Sequence, residues 1–225
     1  MSLVETDWLD KNLNSVKIID CSWHMPQTNR VGFEEYKKQH ISNAIFFDLD
    51  KNSKKNTNLP HMLVEKSDWE KIVSEMGINN EDKIVIYDNS DVISSCRCWF
   101  NFIYFGHSPE LVYVLNGGLR KWVAEKKETT DDLTNVKVSD YKSLEKKELV
   151  KNKKLIDQNI KVQKFSVVDA RSKERFEGKV SEPRKGLRSG SIPNSFCIPF
   201  NECLNDHKTF KNKDDLPFIF EKKKK

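Results

Sequence analysis

Two groups of residues in this chain could do chemistry. The loop "DARSKERFEGKVSEPRKGLRSGSIP", which follows a strand-like "FSVVD", carries Arg171, Arg175, Arg184 and Arg188 among three glycines. Guanidinium forks bind carboxylate, sulfonate or phosphate in a bidentate way, and glycine lets backbone N–H groups approach an anion. An ordinary surface loop, with its arginines solvated or paired to Glu174 or Glu182, fits the same residues and stays open. The second group is Asp50 and His61 in "DLDKNSKKNTNLPHML". A histidine beside a carboxylate can hold or pass a proton, although a lone loop histidine is more often structural. Asp88 stands where a reactive group of an α/β fold would stand, at the carboxyl end of the most apolar strand. It has no base or metal partner nearby in sequence. Asp48, Asp88 and Asp91 lack the spacing of a known metal loop, so no metal is expected.

These residues need elements to hold them. "VKIID", "AIFFDL", "KIVIYD" and "LVYVL" read as strands. They alternate with helical patterns in "GFEEYKKQH", "SDWEKIVSEMGI", a stretch from about Cys96 to Phe105, and "LRKWVAEK". Ser67 followed by Glu70 predicts a capping box at the start of the second helix, and Gly77 predicts its stop. Strands alternating with helices predict an α/β fold, a parallel sheet flanked by helices, with ligands beyond the carboxyl ends of the strands. The apolar pattern then fades. Residues 1–128 are read as a first domain, 129–152 as a linker with one strand at "VSDYKSL", and 153–225 as a second domain opened by the helix "KKLIDQNIKVQ".

The second domain reads as a copy of the first. "VKIID" ending at Asp20 and "FSVVD" ending at Asp169 are each followed by an Ile two residues before an Asn and then an apolar run: "HISNAIFFDL" and "SIPNSFCIPF". The copies lie about 150 residues apart, a period that means duplicated domains and not a solenoid. The counterpart of Asp88 in the second copy falls beyond Lys225, so the second sheet is expected to be C-terminally truncated and incomplete, with an unpaired edge.

The bulk numbers set limits. In 225 residues, 37% are hydrophobic and 32% charged, which leaves room for real cores. The net charge of +5 comes from scattered lysines and suits a solvated surface better than a nucleic-acid groove. No run of about 18 apolar residues and no signal-peptide pattern is present, so a cytoplasmic protein without membrane association is expected. The closing "EKKKK" is read as the outer face of a helix, not as a membrane tether. Five cysteines, Cys21, Cys96, Cys98, Cys197 and Cys203, are odd in number and irregular in spacing, as in chains that keep their thiols reduced. The "CRC" motif lacks a second ligand pair for zinc.

"HISNAIFFDLD", "LPHML", "IVIYDNSD…SSCRCWFNFIYFGH", "VYVLNGGLRKW" and "VVDARSKERFEGKVSEPRKGLRSGSIPNSFCIPF", in this order and over nearly the whole chain, closely resemble the two-domain rhodanese sulfurtransferases, most nearly those acting on 3-mercaptopyruvate or thiosulfate. The resemblance implies tandem rhodanese-like domains, the first a non-catalytic copy with Asp88 at the position of the nucleophile. In the second, a cysteine in a Cys-Gly-Ser-Gly-Val-Thr-like loop would carry sulfur as a persulfide between a 3-mercaptopyruvate or thiosulfate donor and a thiol or cyanide acceptor, with no cofactor. Carried over by motif, Arg175 and Arg184 would hold the donor's anionic group, and Asp50 and His61 would form an acid–base dyad with a serine of that loop. None of the five cysteines fits the nucleophile, so the chain as given is expected to be inactive. Ser42-Asn43 stands where the family has Pro-Gly, and Ser191 where it has His. Two alternatives keep the fold: a non-catalytic module binding an anion or a protein through the arginine loop, and a phosphatase with a longer Cys-to-Arg loop.

Overall fold

The computed structural model describes residues 2–183 and 186–221, and its contacts divide the chain into two compact units, Met1–Leu149 and Val150–Lys225. The first unit runs β1 (Leu3–Val4), α1 (Thr6–Asp10), β2 (Lys17–Asp20), α2 (Gly32–Tyr36), β3 (His40–Ile41), β4 (Ala44–Phe46), α3 (Lys66–Glu75), β5 (Ile84–Tyr87), α4 (Ser94–Tyr104), β6 (Val112–Leu115), α5 (Gly118–Ala124) and β7 (Thr129–Thr130). Five strands form one all-parallel sheet in the order β1-β6-β5-β2-β4. β3 and β7 pair antiparallel to one side.

The sheet is buried on both faces because its apolar residues are consecutive and alternate in direction. Ile19, Ile84 and Ile86 point into a core with Phe47, Trp69, Phe102 and Phe105. Ile18, Val85 and Tyr87 point into a second core with Leu9, Tyr36 and Trp122. β5 is buried at all four positions and lies at the centre of the sheet, so its carboxyl end presents Asp88 where the strand order reverses.

Two local expectations are corrected. α3 begins at Lys66 after Glu65, so Ser67 is inside the first turn and does not cap it. Glu70 makes no capping box; its Oε1 accepts from Ser143 N at 2.8 Å. Gly77 does end the helix, with φ +65°, and a Cβ there would lie 2.6 Å from the carbonyl of Lys137. The expected strand "VSDYKSL" does not form. Its N–H groups bind the ends of helices instead of a neighbouring strand: Ser139 N to Ser74 O at 3.0 Å, Tyr141 N to Ser74 Oγ at 2.9 Å, and Leu144 N to Phe105 O at 2.9 Å. Tyr141 is only 1% exposed, and this irregular stretch belongs to the first unit.

The second unit runs α6 (Lys153–Val162), β8 (Val167–Asp169), α7 (Lys173–Phe176), β9 (Ser195–Cys197) and α8 (Leu216–Glu221). β8 and β9 pair in parallel, and among the described residues they are the whole of that sheet. The register repeats that of the first unit. Asp20 lies opposite Phe46 and Asp169 opposite Cys197. Asn43 and Asn194, just before the second strand of each pair, both take the left-handed conformation, with φ 65° and 63°. Asparagine tolerates that region where most residues do not, so Asn43 does the turn-forming work of the glycine that the resemblance leads one to expect there.

Candidate functional site

The structure brings Asp50 and His61 together. His61 Nε2 lies 2.7 Å from Asp50 Oδ1, and because a carboxylate only accepts, Nε2 carries the proton. His61 is largely covered (18% of its side chain exposed), whereas Asp50 is open to solvent at 69%. Two residues that sequence reasoning did not single out hold the pair. Trp23 Nε1 donates to Asp50 Oδ2 at 2.8 Å, and its ring meets the imidazole edge-on with centroids 4.8 Å apart. The Arg97 guanidinium donates to the carbonyl of His61, whose φ of 53° is left-handed. Trp23 follows β2 and Arg97 sits on α4, so nothing in the spacing of "LPHML" foretells either.

Asp88 is built into the loop that follows β5. Its carboxylate is buried and accepts from Ser90 N and Ser95 N, both at 2.8 Å, so it fixes the loop between β5 and α4. Burial pushes its carboxyl above the ordinary range, partly offset by those hydrogen bonds. Around the same loop Arg30 binds Glu35 through two nitrogens at 2.6 and 2.7 Å and reaches Asn89 O, while Arg120 pairs with Asp91 at 2.7 Å. The crevice at the end of β5 is therefore occupied by the protein's own charges. Among the described residues no group of three or more His, Cys, Asp or Glu is placed to hold a metal ion.

Three of the five cysteines have thiols held above the ordinary value. Cys21 is buried and its thiol is pushed well up by burial and by Cys98 beside it. Burial raises Cys96 to about 12, and raises Cys203 with help from Glu202. A cysteine that attacks as a nucleophile needs the opposite shift, since the thiolate is the attacking species. Cys98 lies wholly inside the first core, and Cys197 is buried at the end of β9, its Sγ 3.5 Å from the carbonyl of Arg171.

In the arginine loop, Arg171 binds both oxygens of Asp169, with Nε at 3.0 Å from each, and also reaches Glu182 at 2.8 Å and Gly190 O at 2.8 Å. Arg175 holds the same Glu182 through Nε at 3.1 Å and Nη2 at 2.5 Å. Glu182, with 5% of its side chain exposed, is thus shared by two arginines, which hold its carboxyl below the ordinary range. Arg184 lies outside the described residues, and Arg188 is exposed.

A parallel α/β sheet with its polar loops at the carboxyl ends of the strands, repeated in part after about 150 residues, defines a duplicated α/β domain protein. Comparison with known proteins makes the class specific. The Rhodanese-like domain family matches residues 5–125. The chain is 36% identical over 242 residues to the Arabidopsis thaliana protein named thiosulfate/3-mercaptopyruvate sulfurtransferase 1, mitochondrial, covering 97% of this chain and 63% of that one. It is 31% identical to the mouse (Mus musculus) 3-mercaptopyruvate sulfurtransferase, covering 99% of this chain and 77% of the relative. Among solved structures, SseA from Escherichia coli, described as a 3-mercaptopyruvate sulfotransferase with the rhodanese fold, superposes with a TM-score of 0.89 at 26% identity, over 99% of this chain and 84% of that one. The chain belongs to the rhodanese family. It spans a little under two thirds of the Arabidopsis relative's length. Among the described residues no helix is long and apolar enough to cross a membrane.

Proposed function

We propose that this chain serves a sulfurtransferase that moves a sulfane sulfur from 3-mercaptopyruvate or thiosulfate to a thiol or cyanide acceptor through a cysteine persulfide. The observation that carries the reading is the Asp50–His61 pair, closed at 2.7 Å in a chain whose curated relatives are named as sulfurtransferases. With 3-mercaptopyruvate, a cysteine thiolate attacks the donor sulfur, the carbon–sulfur bond breaks, and its electrons go to the carbon of the leaving enolate. The proton that the cysteine thiol gives up to become the thiolate, passed on by the Asp50–His61 dyad, turns that enolate into pyruvate. The acceptor thiolate then takes the outer sulfur of the persulfide and regenerates the cysteine.

Arg175 and Arg184 are the residues proposed to hold the donor's carboxylate or sulfonate, bidentate recognition being what a guanidinium does best. For Arg175 this means exchanging Glu182 for the substrate anion. The tandem organisation proposed from sequence, a non-catalytic first domain and a second that carries the nucleophile loop, accommodates the buried Asp88. The sulfur-carrying cysteine is proposed to be none of the five present, because Cys21, Cys96 and Cys203 have raised thiols and Cys98 and Cys197 are buried. The chain by itself is then inactive. A reducing compartment such as the cytoplasm suits a chain whose cysteines are odd in number and irregular in spacing.

The second reading, a non-catalytic module binding an anion or a protein, is favoured by the same unreactive cysteines. One experiment separates the two: release of pyruvate and sulfide from 3-mercaptopyruvate with a thiol acceptor, by this chain alone and by the chain extended beyond Lys225 with the corresponding segment of the Arabidopsis relative. Turnover only in the extended protein supports the sulfurtransferase and an added nucleophile. Turnover by the chain alone overturns the assignment of the cysteines, and no turnover in either supports the module.

A further inference from the structure

Two hydroxyls just beyond the end of β5, those of Ser90 and Ser94, fasten the segment that follows β2. Ser90 Oγ donates to the carbonyl of Trp23 at 2.6 Å and accepts from Trp23 N at 2.9 Å. Ser94 Oγ donates to the carbonyl of Cys21 at 2.5 Å. Asp88 in turn pins Ser90 N and Ser95 N. The backbone of 21–23 is thereby fastened at both sides, and the indole of Trp23 is aimed at Asp50 Oδ2, 2.8 Å away.

This matters because Asp50 is otherwise a solvent-exposed carboxylate, free to turn. With Oδ2 engaged by the indole, Oδ1 faces His61 Nε2. From the other side Arg97 fixes the peptide of His61 in its left-handed conformation. The Arg97 guanidinium packs over the Phe100 ring at 5.9 Å, and its buried Nε has no hydrogen-bond partner among the described residues. Sinking a guanidinium with one donor unmet is unfavourable, and the bond to the His61 carbonyl is what it gains in exchange.

We propose that Trp23, held by Ser90 and Ser94, and Arg97 are positioning residues that select one tautomer of His61, with Nε2–H directed at Asp50 and Nδ1 left as the proton-accepting and proton-delivering atom. The inference rests on the dyad's role in the proposed sulfur transfer and names the atom through which that proton passes. It also gives the first unit's altered loop a use: it aligns the dyad instead of holding a nucleophile.

The test reads the tautomer directly, with no donor and no turnover, so its failure and that of the sulfur-transfer reading are distinguishable. The two imidazole nitrogen shifts of His61 are measured by 15N NMR at a pH where the ring is neutral, in the full chain. The wild type is expected to show Nδ1 far downfield and Nε2 upfield. In Trp23→Phe the two shifts move toward each other, as the tautomer ratio falls about tenfold, the population equivalent of one charge-assisted hydrogen bond. Asp50→Ala, at an exposed side chain that folding does not need, gives the same convergence and also removes the hydrogen-bonded downfield shift of the Trp23 indole proton. Arg97→Lys keeps the wild-type pattern and Arg97→Met loses it. Unchanged nitrogen shifts in both Trp23→Phe and Asp50→Ala would overturn the proposal, as would a wild type with Nδ1 protonated.

Discussion

Asp20 and Asp169 end equivalent strands and make the same turn. Asp20 Oδ1 accepts from Ser22 N at 2.8 Å, and Asp169 Oδ1 from Arg171 N at 2.9 Å. The carbonyl of each accepts from the residue after the facing strand, Phe47 at 2.8 Å and Ile198 at 3.0 Å. Their surroundings could hardly differ more. Asp20 is sealed against Tyr87 and near Asp88, and burial pushes its carboxyl up to about 7. Asp169 sits under Arg171, whose hydrogen bonds hold its carboxyl below the ordinary range. The backbone of a duplicated unit is thus kept while the charge of the same position is reversed in meaning. In one copy the aspartate is part of a core, and in the other it anchors an arginine at the edge of a candidate anion site.

The comparison can be broken most severely by pH. A carboxyl whose folded pKa is raised binds its proton more tightly in the folded state, so its contribution to stability is present at low pH and lost as pH rises. For Asp20 the loss falls between about pH 4 and 7, on the order of several kcal/mol for a shift of this size. Asp169 has the opposite sign: its contribution is present above the ordinary aspartate range and lost as pH falls through it. Urea denaturation across pH 3–8 is expected to show a stability decline toward neutrality that Asp20→Asn flattens, and an acid-side decline that Asp169→Asn flattens. Because burial also raises Asp88, part of that slope should remain in Asp20→Asn, and a slope left wholly unchanged would end the contrast.

A smaller effect is expected at Glu182. Glu182→Gln removes the shared partner of Arg171 and Arg175 and should destabilise the second unit by about 2–3 kcal/mol, as for a hydrogen-bonded charge pair with limited exposure. The same change frees Arg175, so calorimetric affinity for pyruvate or sulfate should rise while stability falls. A fall in both would mean that Glu182 orients Arg175 for the anion instead of competing with it. The smallest effect tests what the copies share: Asn43→Ala and Asn194→Ala should each cost about 1 kcal/mol from the left-handed backbone alone, with Gly in place of Ala recovering most of it. Unequal costs in thermal unfolding would reveal the side-chain bonds, Asn43 to Leu13 O and Asn194 to Ile160 O, as the larger factor.

The sequence-based expectations held best where local patterns act alone. Consecutive β-branched residues made β2 and β5 readable, and the paired Asn turns made the duplication readable, because both depend on backbone preferences within a few residues. Ser67 misled because a capping-box spelling competes with the tertiary pull on Glu70, whose carboxylate serves Ser143. "VSDYKSL" misled because its N–H groups are taken by the ends of helices and Tyr141 is buried there, a tertiary arrangement that the local residues do not announce. At the candidate site, Asp50 and His61 could be named together, but Trp23 and Arg97 could not. Their partnership with the dyad exists only after the segment that follows β2 and the start of α4 have been brought together.

β8 pairs with β9 alone among the described residues, whereas its counterpart β2 lies between two strands. The difference sets a timetable for solvent access. Amides of β2 and β5 are locked on both sides and should exchange with deuterium only through unfolding of the whole first unit, over the longest times the protein offers. Those of β8, with one hydrogen-bonded neighbour among the described residues, should label first.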